Sequence, residues 1–143
     1  MSSTRDDIAA LIFTYAERID AGDLDGVAAL FHDATYRSQQ GGSYDGSAAV
    51  RAVLLQKVIL YADGTPRTKH VTSNLIVDVD ASGASATARS YFTVLQATDA
   101  LPLQAIVAGR YHDRFVRDGD AWRFADRLIF VDLVGNLSQH LRA

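Results

Sequence analysis

A few side chains in this sequence have the chemistry and spacing for proton transfer. His70 stands in HVTSN, and Asp20 closes the run YAERID. Imidazole titrates near neutrality, so it can accept a proton and return it at working pH. A lone strand histidine is otherwise an ordinary hydrogen-bonded residue. Here period-two alternation puts Thr72, Asn74 and Ile76 on its face, opposite Val71, Leu75, Val77 and Val79, which reads as a polar pocket wall. Asp20 is placed at a helix C-terminus, where the dipole disfavours an unpaired anion by up to about 1 kcal/mol. It is either a solvated helix-end acid or a carboxylate drawn under a sheet and paired with a cation. Arg127, in WRFADR, shares its alternation face with Ala125, Ile129, Val131 and Leu133. Its guanidinium therefore either reaches an edge to water or is buried against a carboxylate. Tyr15 lies five residues before Asp20, about 140° round an ideal helix. It is a core tyrosine with one satisfied hydroxyl, or a second wall of the same pocket if Asp20 sits past the last regular turn.

Other chemistries lack their residues. The chain has no Cys, which removes disulfides, thiolate nucleophiles and zinc–thiolate sites. There is no G-x-S-x-G elbow, no phosphate-cradling Gly loop and no H-E-x-x-H. His32, His112 and His140 show no metal-ligand spacing with acids and read as turn, outer-face and tail residues. Acid–base chemistry without metal or cofactor is what the residue types leave. With 14 Lys and Arg against 17 Asp and Glu, the net charge is −3, and no basic patch stands out for nucleic acid. No apolar run approaches the ~18–20 residues of a membrane span. The polar, acidic start MSSTRDD is unlike a signal peptide. We expect a cytoplasmic chain that binds neither nucleic acid nor membrane, and a single domain over residues 1–143.

These residues must be positioned by helices in the first half and strands in the second. Ile8, Leu11, Ile12, Tyr15, Ala16 and Ile19 recur at spacings of three and four, predicting an amphipathic helix over 4–20. Thr4 with Asp7 resembles a capping box, and Ala21-Gly22 ends the helix. Asp23 caps a short second helix, and a third is predicted from Ser47 to Tyr61. Residues 34–44 read as a short strand or two around a Gly41-Gly42 turn. Four strands follow, at 68–79, 84–97, 104–117 and 121–134, with Pro102 in a longer connection. Hairpin spacing makes them an antiparallel meander, so the fold class is α+β, with helices covering one face of a curved sheet.

The strings YAERIDAGDLDGVAALFHDATY (15–36), HVTSN (70–74), GRYHDRF (109–115) and WRFADR (122–127) resemble the cone-shaped α+β barrel of the nuclear-transport-factor-2-like (NTF2-like) superfamily, and its SnoaL-like branch. The resemblance spans nearly the whole chain and extends to scytalone dehydratase, hexachlorocyclohexane dehydrochlorinase and bile-acid 7α-dehydratase. It implies that Asp20 and His70 are a catalytic pair and that Arg127 is a third site residue. Tyr15 matches a tyrosine of the bile-acid enzyme, and Tyr36 in ATYRS matches one of scytalone dehydratase. The second catalytic histidine and the asparagine of scytalone dehydratase have no counterpart here. AGDLDG (21–26) also resembles ketosteroid isomerase, but Ser38 and Gln39 stand near the place of its Asp base.

What the resemblance implies is a lyase or isomerase without cofactor. Asp20 would fix the His70 tautomer, His70 would remove a proton from an activated carbon, and Tyr15 and Arg127 would stabilise the resulting anion. Tyr36 would orient substrate or water. The substrate would be a hydrophobic cyclic molecule, held by Asn74 and by walls from Phe13, Leu54, Val58, Phe92, Tyr111, Phe115 and Ile129. A non-catalytic small-molecule-binding or assembly module, similar to a dioxygenase small subunit, and a polyketide cyclase are the alternatives on the same fold. The mixed outer sheet face, with Arg110, His112 and Arg114 beside Ile106 and Val116, suggests a homodimer or homotrimer. The tail from Gly135 is either a lid or frayed.

Overall fold

The computed structural model describes residues 3–143. α1 (Thr4–Asp20) buries Ile8, Ile12, Tyr15 and Ile19 on one stripe, as their spacing dictates. Its N-cap is Ser3, whose hydroxyl accepts the Asp6 N–H at 3.1 Å, so the cap lies one residue before the expected Thr4. Gly22 takes φ 77° just past the helix end. The Asp23 carboxylate then caps α2 (Leu24–Ala29) by accepting the Gly26 N–H at 2.9 Å. β1 (Thr35–Ser38) and β2 (Ser43–Asp45) form the expected hairpin around Gly41 and Gly42. α3 (Gly46–Lys57) stops short of Tyr61, because Val58 turns extended and pairs with Leu141 of the tail.

β3 (Thr68–Val79), β4 (Ser85–Thr98), β5 (Leu101–Asp118) and β6 (Ala121–Val134) form the antiparallel meander. β1 adds to β6 in parallel, so the six-stranded sheet runs β2-β1-β6-β5-β4-β3. The connection at Pro102 is shorter than expected: Asp99-Ala100 makes the turn and Pro102 lies inside β5. It is tolerated because the β4–β5 register is irregular there, between Gln96 and Thr98.

Bulges curve the sheet and reassign its faces. Asn74, at φ 53°, lies in the register shift between Ser73 and Ile76. The shift makes Leu75 and Val77, rather than Asn74 and Ile76, continue the inner face of His70 and Thr72. A second shift, opposite Ala125, brings Phe124 and Arg127 inward together. A third leaves Leu133 exposed, so it does not share the Arg127 face as alternation suggests. Ile106, expected on the outer face, is fully buried at a shift between β4 and β5. α1 packs across β3 and β6, and α2 across α3. Between helices and sheet lies an apolar core that includes Ile12, Val27, Phe31, Phe115 and Phe124. Each such side chain contributes about 1.5–3 kcal/mol on burial.

Candidate active site

The end of α1 is tied to the start of β3 by one carboxylate. Asp20 Oδ1 accepts from His70 Nδ1 at 2.6 Å and from Thr68 Oγ1 at 2.9 Å, and Oδ2 accepts the His70 backbone N–H at 2.8 Å. The two side chains are shielded from water, at 8% exposure for His70 and 11% for Asp20. Burial by itself would raise the Asp20 carboxyl. The His70 ring, the His70 backbone N–H and the Thr68 hydroxyl outweigh it and hold the group below its usual value of 3.8. An ionised carboxylate only accepts, so the His70 proton sits on Nδ1 and proton traffic with any ligand runs through Nε2. Asp20 is therefore the paired carboxylate, not a solvated helix-end acid.

A second cluster forms where α1 meets β1, β5 and β6. The hydroxyls of Tyr15 and Tyr36 are 2.7 Å apart. Burial keeps both phenols protonated, Tyr36 most strongly, since its neighbour Tyr15 adds to the effect. Arg127 is fully buried and donates from Nε at 2.8 Å and Nη2 at 3.0 Å to the two oxygens of Asp113, a fork on a fork. Its guanidinium lies 3.7 Å from the Tyr111 ring centroid and 4.3 Å from that of Tyr15. Burial opposes the Arg127 charge, but Asp113 raises its pKa above the ordinary guanidinium value, so it stays charged. Burial pushes the Asp113 carboxyl up and the facing guanidinium pulls it back. Arg127 Nη1 is buried with no hydrogen-bond partner among the described residues. Tyr111 links the clusters: it stacks on Phe92 at 4.6 Å, lies under Arg127, and its buried hydroxyl feels the charge of Asp20.

The expected wall residues divide. Leu54, Val58, Phe92, Tyr111 and Phe115 are interior, and Ile129 is half-buried against them. Tyr15, Phe92, Tyr111 and Phe115 fill much of the interior around Arg127 with ring-to-ring contacts, among them Tyr15–Tyr111 at 5.9 Å and Phe115–Phe124 at 4.7 Å. Two expected contacts are corrected. Phe13 is 49% exposed, on the side of α1 away from the core stripe. Asn74 is exposed because the bulge turns it outward. Two residues were missed. Asp113 alternates with Tyr111 and Phe115 in GRYHDRF, and that apolar spacing was its signal. His140 gave no signal, because only the docking of the tail buries it. Among the described residues no cluster of three or more His, Asp or Glu side chains could hold a metal ion. No described helix is long and apolar enough to cross a membrane.

A family model described as a SnoaL-like domain matches residues 1–128. The chain belongs to the SnoaL-like domain family. No curated protein matches this SnoaL-like chain. Among solved structures, a Mycobacterium tuberculosis protein of unknown function is 29% identical, with a TM-score of 0.75 over 91% of this chain and 72% of that one. An NTF2-like protein with a cystatin-like fold from Novosphingobium aromaticivorans is 22% identical, with a TM-score of 0.74 over 94% and 85%. A protein provisionally named scytalone dehydratase, from the same species, is 24% identical, with a TM-score of 0.72 over 90% and 84%. The second of these likenesses shows the NTF2-like, cystatin-like fold for this SnoaL-like domain.

Proposed function

We propose that this SnoaL-like protein is a cofactor-independent lyase of the dehydratase type, or an isomerase, acting on a hydrophobic cyclic small molecule by His–Asp general acid–base catalysis. The observation that carries the reading is the 2.6 Å contact between His70 Nδ1 and Asp20 Oδ1, shielded from water on both sides. In an elimination, His70 Nε2 takes a proton from a carbon next to a carbonyl or ring. The C–H electron pair becomes the new double bond. The β-hydroxyl departs with its bonding pair and is protonated to water, which restores His70 if the imidazolium is the donor. In an isomerisation the same proton returns at another carbon. Asp20 stabilises the imidazolium in either case. The Tyr15–Tyr36 pair spends one O–H on itself and has one left for the substrate oxygen. Arg127, neutralised by Asp113, offers a directed N–H at Nη1 rather than a free positive charge. Each positioned proton-transfer group is worth about 10²–10⁴ in rate.

The test is turnover of a panel of hydroxylated cyclic ketones and steroids. His70→Ala and Asp20→Asn should each lower the rate by at least about 10², with a melting temperature that moves by only a few degrees. Full activity in either variant defeats the reading. The aromatic filling of the interior favours a second reading, a non-catalytic binding or assembly module; tight binding without turnover across the panel selects it. A polyketide cyclase would use the same base to close a ring by aldol chemistry, and ring-closed products would reveal it. Tyr91, Leu103, Leu133 and Val134 are exposed on the sheet, and we place a homodimer or homotrimer contact there. A monomer in sedimentation at micromolar concentration refutes that placement.

A further inference from the structure

The tail after β6 does not fray. It folds back onto α3 and β4 and carries a second imidazole to His70. Leu141 bridges Val58, the Arg142 N–H donates to Lys57 O at 2.8 Å, and the Ile59 N–H donates to His140 O at 2.9 Å. Gln96 Nε2, from β4, donates to Gln139 O at 3.0 Å, and the Tyr61 hydroxyl donates to the same oxygen. These bonds fix the backbone on both sides of His140. Its side chain then has little freedom, and the residue is only 6% exposed.

The ring it presents is incompletely bonded. His140 Nδ1 is closed off from water and has no hydrogen-bond partner among the described residues. Buried polar atoms are nearly always paired, so an orphan beside a candidate base calls for a partner. The His140 and His70 rings meet edge to face with centroids 5.9 Å apart. An oxygen bonded to two nitrogens spans roughly 5.5–6 Å between them, the scale of this ring separation. Burial, aided by the His70 charge and opposed by Asp20, holds the His140 imidazole down to about 4. At neutral pH the ring is uncharged, with one N–H to give and one lone pair to accept.

Resting on the acid–base reading of His70, we propose that His140 Nδ1 and His70 Nε2 together hold one oxygen of the ligand, a hydroxyl or carbonyl carried on an apolar ring. The tail thereby delivers a substrate-contacting specificity residue. It selects oxygenated rings over plain hydrocarbons of the same shape, and it sets the bound oxygen next to the base.

The experiment measures binding of β-naphthol and of naphthalene to wild type, His140→Phe and His140→Asn. Phenylalanine keeps the ring and loses both nitrogens, while asparagine keeps a polar group near the Nδ1 position. The naphthol-to-naphthalene affinity ratio should fall about three- to tenfold in His140→Phe and recover in His140→Asn, as for the loss and return of one hydrogen bond. An unchanged ratio, an equal loss for both ligands, or no binding of β-naphthol to wild type overturns the proposal. Should His140→Phe not fold, nitrogen NMR of wild type decides. The His140 Nδ1 resonance should move with β-naphthol and not with naphthalene, and a resonance indifferent to both overturns it. Binding needs no turnover, so a protein that discriminates the two ligands but transforms nothing keeps this inference and loses the catalytic one.

Discussion

Acid should weaken this fold through His140 before it reaches the carboxylates. The imidazole has an ordinary value of 6.5 and is held to about 4 in the folded chain. In the window between those values the unfolded chain binds a proton that the folded chain refuses. Stability is therefore complete above about pH 6.5 and is lost as pH falls toward about 4. Two and a half pH units at about 1.36 kcal/mol each give a loss of about 3 kcal/mol, a large part of a typical domain's stability. Asp20 acts in the same direction but lower, because its folded value lies below 3.8 and its contribution is lost only beneath that. The assay is urea unfolding, followed by circular dichroism across this pH range, on wild type and His140→Phe. Whatever the variant's stability at neutral pH, its profile between about pH 6.5 and 4 should be flatter than wild type's by about 2–3 kcal/mol. Parallel profiles would refute a buried neutral His140, as would an NMR titration of that ring near its ordinary value.

Other expectations are specific to single contacts. Asp113→Asn leaves the Arg127 guanidinium buried without its counter-charge. It should cost about 3–5 kcal/mol and lower the melting temperature by roughly 10 °C or more. Replacing both partners by apolar residues should cost less than Asp113→Asn alone, and a costlier double variant contradicts the ion-pair account. In a Tyr15→Phe, Tyr36→Phe double-mutant cycle the shared 2.7 Å hydrogen bond should appear as a coupling of about 1 kcal/mol; additive losses would mean the hydroxyls act separately. Gly22→Ala forces a β-carbon to 1.9 Å from Gly64 O at φ 77°. It should destabilise by about 1–3 kcal/mol in chemical denaturation, and a neutral result would show that this turn can shift.

Periodicity and turn residues made α1, the β1–β2 hairpin and the four-strand meander legible, because each depends on neighbours within a few residues. Asp20 and His70 were singled out as a pair through the family resemblance, since neither is specific alone, and the structure brings them to 2.6 Å. The bulges were not legible. Alternation keeps its phase only while every residue is paired, and one extra residue in β3 sends Asn74 outward and brings Leu75 in. The same effect in β6 turned Arg127 toward Asp113, a residue fourteen positions away, and so decided for burial against a carboxylate over an edge reaching water. Burial of His140 required the tail to find α3 and β4 across more than forty residues of intervening chain. Composition and spacing determined which elements form and which side-chain chemistries the chain holds. Only tertiary contact decided which charges are matched and which ring nitrogens lie out of reach of water, because desolvation and pairing are set by neighbours in space.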